Sequence, residues 1–258
     1  SRAGGDVSFV TKLGKDNYAD MALKLYQEAG VNTQAVILDS NLNTGAAGIL
    51  INQKTGENAI NVIPGAAATI DHKFIDDNLS IIKNSKIFLT QLETSIDATM
   101  YALKMAKENG CSTILNPAPA RNLPDDCFEN IDFFTPNETE ASFFINQSIE
   151  SEKDCQSAAK VLLDKGVKNI LITLGDKGCF FKNQEEEFLL PAKKLSFPVV
   201  DTTGAGDAFN GAFSVALSKN KNYKEAIEFA NLVAGISVTR EGAANSMPTI
   251  DEIEENLQ

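Results

Sequence analysis

The chain has 258 residues, 43% apolar and 22% charged, which is long enough to bury a substantial core and balanced like a soluble domain rather than a disordered or membrane one. The formal charge, 23 − 35 = −12, and the scattered lysines and arginines argue against a nucleic-acid partner. The longest apolar runs, such as Asn169 to Leu174, are strand length, far short of the roughly 20 residues a membrane helix needs.

From the start, Ser1-Arg2-Ala3-Gly4-Gly5 leads without a hydrophobic leader into a strand, Asp6 to Val10, so the cytoplasm is the expected address. A helical pattern from Tyr18 to Ala29 stops at Gly30, and a strand, Ala35 to Asp39, follows. Ala47 to Asn52 and Asn58 to Ile63 alternate around Lys54 to Glu57 and read as a hairpin. Next come a strand at Ile87 to Thr90, a helix at Ile96 to Asn109, a strand at Ser112 to Asn116 and a Pro-rich loop. Asp132 to Thr135 precedes a helix from Glu138 to Phe144. A helix from Glu152 to Lys165 ends at Gly166 and leads into the strand Asn169 to Leu174. Gly178 to Lys182 and Glu186 to Leu190 form a second hairpin, and the rest is helical: Ala205 to Ser218, Tyr223 to Thr239 and Ile250 to Leu257. Strands alternating with helices predict an α/β domain over 1–258, with a mostly parallel sheet covered on both faces and 47–63 as an edge flap.

Cys111, Cys127, Cys155 and Cys179 are widely spaced and read as buried thiols rather than zinc ligands or disulfides. His72 is the single histidine, which excludes a multi-histidine metal site and leaves little room for Ser-His-Asp hydrolysis.

The sharpest local signal is Asp201-Thr202-Thr203-Gly204-Ala205-Gly206-Asp207, where a strand-like approach turns through glycines into a long helix. Gly204 and Gly206 let the backbone approach an anion, and the first helical N–H groups lack partners within the helix. Asp207 then places a carboxylate beside that anion site, where it can take a proton from an acceptor hydroxyl during phosphoryl transfer. The structural alternative is a plain glycine turn with Asp207 favouring the helix dipole. The segment is neither a P-loop, lacking Lys-Ser/Thr, nor a Rossmann fingerprint.

Asp201 to Gly211 resembles the C-terminal signature of the ribokinase/pfkB carbohydrate kinase family. Gln91-Leu92-Glu93, Asn116 to Ala120, Thr135 to Ala141, Leu171 to Gly175 and Val238 to Ala243 match the same family in order. The resemblance implies a three-layer α/β/α sandwich and phosphorylation of D-ribose at O5 by ATP. It implies Asp207 as base and sugar contact, with the amides of Gly204, Ala205 and Gly206 as anion hole. Glu93 matches a sugar-contacting carboxylate; alone it reads as a loop acid. Asn137 and Glu140 match an element holding Mg²⁺ and phosphate, largely through water; alone they read as a helix cap. Thr173, Gly175, Gly206 and Asn231 match the nucleotide side, although an amide at Asn231 also suits a solvent-facing helix position. A K⁺ site is implied at Asp201 and Thr203, with oxygens around Ser237, Arg240, Gly242 and Ser246, whereas Asp201 alone reads as a turn cap.

The family's Asn-x-Asp and Gly-Gly-Lys-Gly-Ala-Asn segments do not precede Ser1, so a ribokinase lacking its N-terminal segment is expected, with an incomplete flap. Gly65-Ala66-Ala67-Ala68 also departs from the family's Gly-Ala-Asn-Ala. A homodimer through the flap is implied for the intact protein. The competing readings are another sugar or nucleoside kinase, such as a fructokinase or adenosine kinase, and a catalytically weak nucleotide-binding homologue.

Overall fold

The computed structural model describes residues 1–51, 58–193 and 197–256. Its elements run β1 (Ser8–Gly14), α1 (Asn17–Glu28), β2 (Asn32–Asp39), β3 (Ala46–Ile51), β4 (Asn58–Ile63), α2 (His72–Asp77), α3 (Leu79–Lys83) and β5 (Ile87–Thr90). They continue with α4 (Ile96–Glu108), β6 (Ser112–Leu115), β7 (Phe133–Phe134), α5 (Glu138–Ile145), α6 (Glu152–Asp164) and β8 (Asn169–Thr173). The remainder is β9 (Cys179–Lys182), β10 (Glu187–Leu190), α7 (Ala205–Ser218), α8 (Tyr223–Ser237) and α9 (Ile250–Glu255).

Six strands form the main sheet in the order β10-β9-β8-β7-β6-β5. Strands β5 to β8 are parallel, while β8–β9 and β9–β10 are antiparallel. Successive strand residues face opposite layers, as the two-residue period of a strand requires. Ile114, Phe133, Leu171 and Phe181 enter a core with α7 and α8, built on Phe209, Phe213, Ile227 and Val233. Their neighbours Leu115, Phe134, Ile170, Ile172 and Phe180 enter a second core with Leu103, Ala141, Leu162 and Leu163. Both faces are therefore covered, which explains the unbroken apolar run at Asn169 to Leu174. The result is the expected ribokinase-like α/β/α sandwich.

The flap is not an edge of this sheet: β3 and β4 pair only with each other, antiparallel from Ala46↔Ile63 to Ile51↔Asn58. Its expected turn at Lys54 to Glu57, and Asn52, lie outside the described residues. Strands β1 and β2 form a separate parallel pair. Strand β1 starts at Ser8, two residues after the expected start, and runs on to Gly14. The pair α2–α3 was not expected, although Asp71 caps α2 by accepting from Phe74 N at 2.8 Å. Among the described residues no helix is long and apolar enough to cross a membrane.

At the N-terminal ends of the parallel strands, Asp132 is buried before β7. Its carboxylate accepts from Thr113 N at 3.1 Å and pairs with Lys168 at 3.0 Å and with Lys107. Burial alone would raise its pKa, but these hydrogen bonds outweigh it and hold the carboxyl below its ordinary value. A group depressed in this way stabilises the fold above the unfolded carboxylate pKa, and that contribution is lost as pH falls through the folded value. Asp132→Ala leaves Lys107 half-buried beside a vacated site. We expect a loss of about 3 kcal/mol in urea unfolding at pH 7, narrowing at acid pH, with catalytic constants unchanged.

Candidate active site

The opposite ends of the same strands carry the chemistry. Gln91 and Glu93 follow β5, Thr135 and Asn137 follow β7, and Thr173 ends β8. Parallel strands end on one side of a sheet, so residues distant in sequence meet there. Thr173 N donates to Pro136 O at 2.9 Å, and Asn137 and Thr173 pair as a parallel bridge. Gly175, with φ 57°, opens the turn that follows.

Helix α7 brings the glycine turn to this edge. Gly204, at φ 78°, is its N-cap, a left-handed conformation that calls for glycine. At Gly206 an added Cβ would meet nothing within 4 Å, so the backbone of the first turn faces open space. Of the three expected anion-hole amides, Ala205 N–H donates to Thr202 O at 3.2 Å.

Asp207 stands exposed in the first turn of α7, yet the protein around it removes enough water to raise its pKa against the favourable pull of the Gln91 side chain. Glu93 is raised by burial and then by the charge of Asp207, and Arg121 opposes the shift. A cleft of about 660 Å³ reaches Gln91, Glu93, Thr203 and Ala243 from between β1 and β5, with Ala46, Ala47, Val62 and Ile63 of the flap along its wall. Sequence reasoning quoted Gln91 only as part of the Gln91-Leu92-Glu93 match and gave it no role, and it did not single out Arg121.

Asn137 and Glu140 form the full capping box of α5: Glu140 N donates to Asn137 Oδ1 at 2.8 Å and Asn137 N to Glu140 Oε2 at 2.9 Å. The cap is real, and Glu140 also faces the site. Its pKa is raised by burial first, pulled back by Asn137 and raised again by Asp207. The charge of Asp207 thus adds to the burial of Glu140, and a divalent cation beside these hard oxygens would relieve it. Among the described residues no group of three acidic, cysteine or histidine side chains forms a metal cage. Mg²⁺ fits this set where it brings water and phosphate oxygens as further ligands, with Glu140 and Asn137 on the protein side.

Asp201 ties the glycine turn to the loop after α8. Its carboxylate accepts from Thr203 N at 2.9 Å and from Gly242 N at 3.0 Å, and these bonds, with that of the Thr203 side chain, lower its pKa. Ser237 and Ser246 are buried, with hydroxyls donating to Ala234 O and Ala243 O, while Arg240 pairs with Glu252 at 2.9 Å. Asn231 lies apart from the cleft. It lines a separate pocket of about 390 Å³ with Pro191, Lys193, Lys221 and Phe229. It is buried rather than solvent-facing, and its Nδ2 has no partner among the described residues.

Residues 1–250 match the model of the pfkB family carbohydrate kinases. The chain is 37% identical over 256 residues to a bifunctional ribokinase/ribose-5-phosphate isomerase A of Fructilactobacillus sanfranciscensis, covering 98% of this chain and 46% of that protein. It is 36% identical over 258 residues to a ribokinase of Haemophilus influenzae, covering all of this chain and 83% of that one. The structure of an Arabidopsis thaliana ribokinase complexed with ribose and ATP superposes with a TM-score of 0.92 at 30% identity, covering 100% of this chain and 83% of that one.

The family model spans residues 1–250 and the ribokinase relatives align over 98–100% of this chain, which corrects the expectation of a ribokinase lacking its N-terminal segment. Ser1 to Asp6 forms a docked turn. Ala3 joins the core beside α7, and Arg2 Nη1 donates to Met247 O at 2.9 Å. The chain belongs to the pfkB family of carbohydrate kinases and is an ATP-dependent phosphotransferase acting on a sugar hydroxyl.

Proposed function

We propose that the protein phosphorylates D-ribose at O5, yielding ribose 5-phosphate, ADP and a proton. The observation carrying this reading is Asp207, a carboxylate of raised pKa beside a glycine turn that presents open backbone. Ribose is favoured over other acceptors because two similar proteins are ribokinases by name and a third was solved with ribose and ATP.

In the proposed mechanism Glu93 and Asp207 bind the sugar, and Asp207 takes the O5 proton as O5 attacks the γ-phosphorus in line with the departing ADP. A raised pKa makes Asp207 a better proton acceptor. The amides of Gly204 and Gly206, joined by Ala205 once its turn bond yields, stabilise the charge on the transferring oxygens. Mg²⁺, when bound, spreads the negative charge of the phosphates. Asn137 and Glu140 hold that end of the site, and Thr173, Gly175 and Gly206 line the nucleotide's path. The unpartnered Asn231 Nδ2 is a donor for the base. K⁺ is proposed beside Asp201 and Thr203, with backbone oxygens near Ser237, Arg240, Gly242 and Ser246, where it would order the glycine turn. The hairpin over 47–63 serves as the substrate flap. Its exposed Leu50 offers an apolar contact to a second copy.

Asp207→Asn keeps the shape and removes the base, so turnover should fall about 10² to 10⁴-fold. The sign for stability is opposite. A carboxyl raised on folding binds more protons in the folded state, so stability declines as pH rises from the unfolded value through the folded one. The amide therefore melts no lower than wild type at pH 7, and an unchanged rate removes Asp207 from the mechanism. The acid limb of kcat/KM in the wild type should lie above the ordinary carboxylate pKa.

Gly206→Ala separates anion hole from turn. The new methyl meets no protein atom and gains up to about 1 kcal/mol of helix propensity, so the melting temperature should hold or rise. Activity should drop about tenfold or more as phosphate approach is obstructed. Retained activity would reduce the glycine to a helix start.

ADP release across ribose, 2-deoxyribose, fructose and adenosine, each with K⁺ and with Na⁺, tests the acceptor and the monovalent ion. Ribose should give the highest kcat/KM, and K⁺ the faster rate. Preference for another acceptor reassigns the substrate within the family, and binding of ATP without transfer to any of them favours a weak nucleotide-binding homologue.

A further inference from the structure

Helix α7 turns Ala208, Phe209, Ala212, Phe213, Val215 and Ala216 into the core, and one polar residue goes with them: Asn210, 1% exposed. A buried amide costs stability unless both its ends are paired. Here both are. Asn210 Nδ2 donates to Gly206 O at 2.9 Å, the carbonyl of the peptide joining Gly206 to Asp207. Asn210 Oδ1 accepts from Thr135 Oγ1 at 2.7 Å, across 75 positions of sequence. Thr135 is itself buried and fixed to the sheet by its N–H, which donates to Leu115 O at 3.0 Å. It stands two residues before Asn137 and five before Glu140. The chain of bonds thus runs from β6 through Thr135 and Asn210 to the peptide that carries Asp207.

A leucine at 210 would fill the same space with apolar surface, so packing alone does not call for the amide. The pair instead fixes the rotation and height of the first turn of α7 against the exit of β7. Those are the two elements that carry the proposed base and the proposed phosphate-holding cap. We propose that the Thr135–Asn210 hydrogen bond is a positioning device, setting Asp207 and the glycine turn in register with the Asn137–Glu140 cap. The inference rests on reading Asp207 as the base of phosphoryl transfer. Neither Thr135 nor Asn210 faces the substrate cleft, so their effect passes through Asp207 and is felt in the chemical step rather than in binding.

Thr135→Val is close to isosteric and removes only the donor. In the full chain we expect kcat to fall about 10- to 100-fold, the range for a small misplacement of reacting groups. KM for sugar and for ATP should stay within about twofold, the signature of an interaction that acts in the transition state. Thr135→Ser, which keeps the hydroxyl, should restore kcat. The double variant Thr135→Val with Asn210→Leu removes both polar partners, leaves neither unpaired, and should fold even if the single variant does not; it should remain slow. Wild-type kcat in the single variant, or in the double variant where the single fails to fold, overturns the proposal. So does an equal loss in Thr135→Ser, which would assign the effect to packing of the threonine methyl. Asp207→Asn keeps the two failures apart. If that variant retains turnover, the kinase reading of Asp207 is at fault; if it is inactive while Thr135→Val runs at full rate, only the positioning role is lost.

Discussion

Asp207 lies in the first turn of α7, where the helix dipole and a hydrogen bond from Gln91 both favour its negative charge, yet its proton affinity is raised. The dipole contributes about 0.3–1 kcal/mol at such a position, and one pKa unit is about 1.36 kcal/mol. An upward net shift therefore means that lost hydration outweighs both favourable contacts. Glu93 and Glu140 are raised too, each by burial and in part by Asp207. Three carboxylates whose charges oppose one another form an arrangement at odds with its own stability. Such an arrangement is explicable when the site is built for what enters it, here a proton leaving a hydroxyl and the cation that accompanies a nucleotide.

The topology makes this concentration possible. Parallel strands β5 to β8 deliver Gln91, Thr135, Asn137 and Thr173 to one edge, and α7 meets that edge with its N-terminus rather than its side. A helix N-terminus contributes orphan amides and positive potential, which is why backbone there can do what arginines do elsewhere. In a chain of net charge −12 this matters. An anionic nucleotide does not require a basic face where local dipoles and an ion brought with the substrate can supply the attraction.

How much of this was legible in the sequence depended on whether a residue's neighbours along the chain settle its role. Ile87 to Thr90 and Ala205 to Ser218 were read to the residue, because a short apolar run and a glycine-bounded helical pattern are local properties. The glycine turn with Asp207 was legible for the same reason. Strand β7 is Phe133 and Phe134 rather than the expected Asp132 to Thr135, although Asp132 and Thr135 N–H still bond to Thr113 O and Leu115 O, so the difference lies at its ends. Helices α2 and α3 were missed because they are short and announced by little more than the Asp71 cap. Asn210 is the sharpest case. An asparagine in an amphipathic helix reads as a solvent-facing position, and only its partner 75 residues away shows that it is core.

Asp132 and Asp207 together show how one sheet separates stability from function. Both carboxylates are desolvated, at opposite ends of the same set of strands, and desolvation pushes both toward protonation. At Asp132 the protein supplies Lys107, Lys168 and Thr113 N, and the net shift turns downward. At Asp207 it supplies one amide side chain, and the shift stays upward. The two also differ in exposure: Asp132 is buried with its partners, whereas Asp207 is exposed at the helix start. Where the fold completes the hydrogen bonding of a buried charge, that charge holds elements together. Where the partners are too few, the charge keeps an affinity for a proton, and that unmet affinity is what a phosphoryl-transfer base requires.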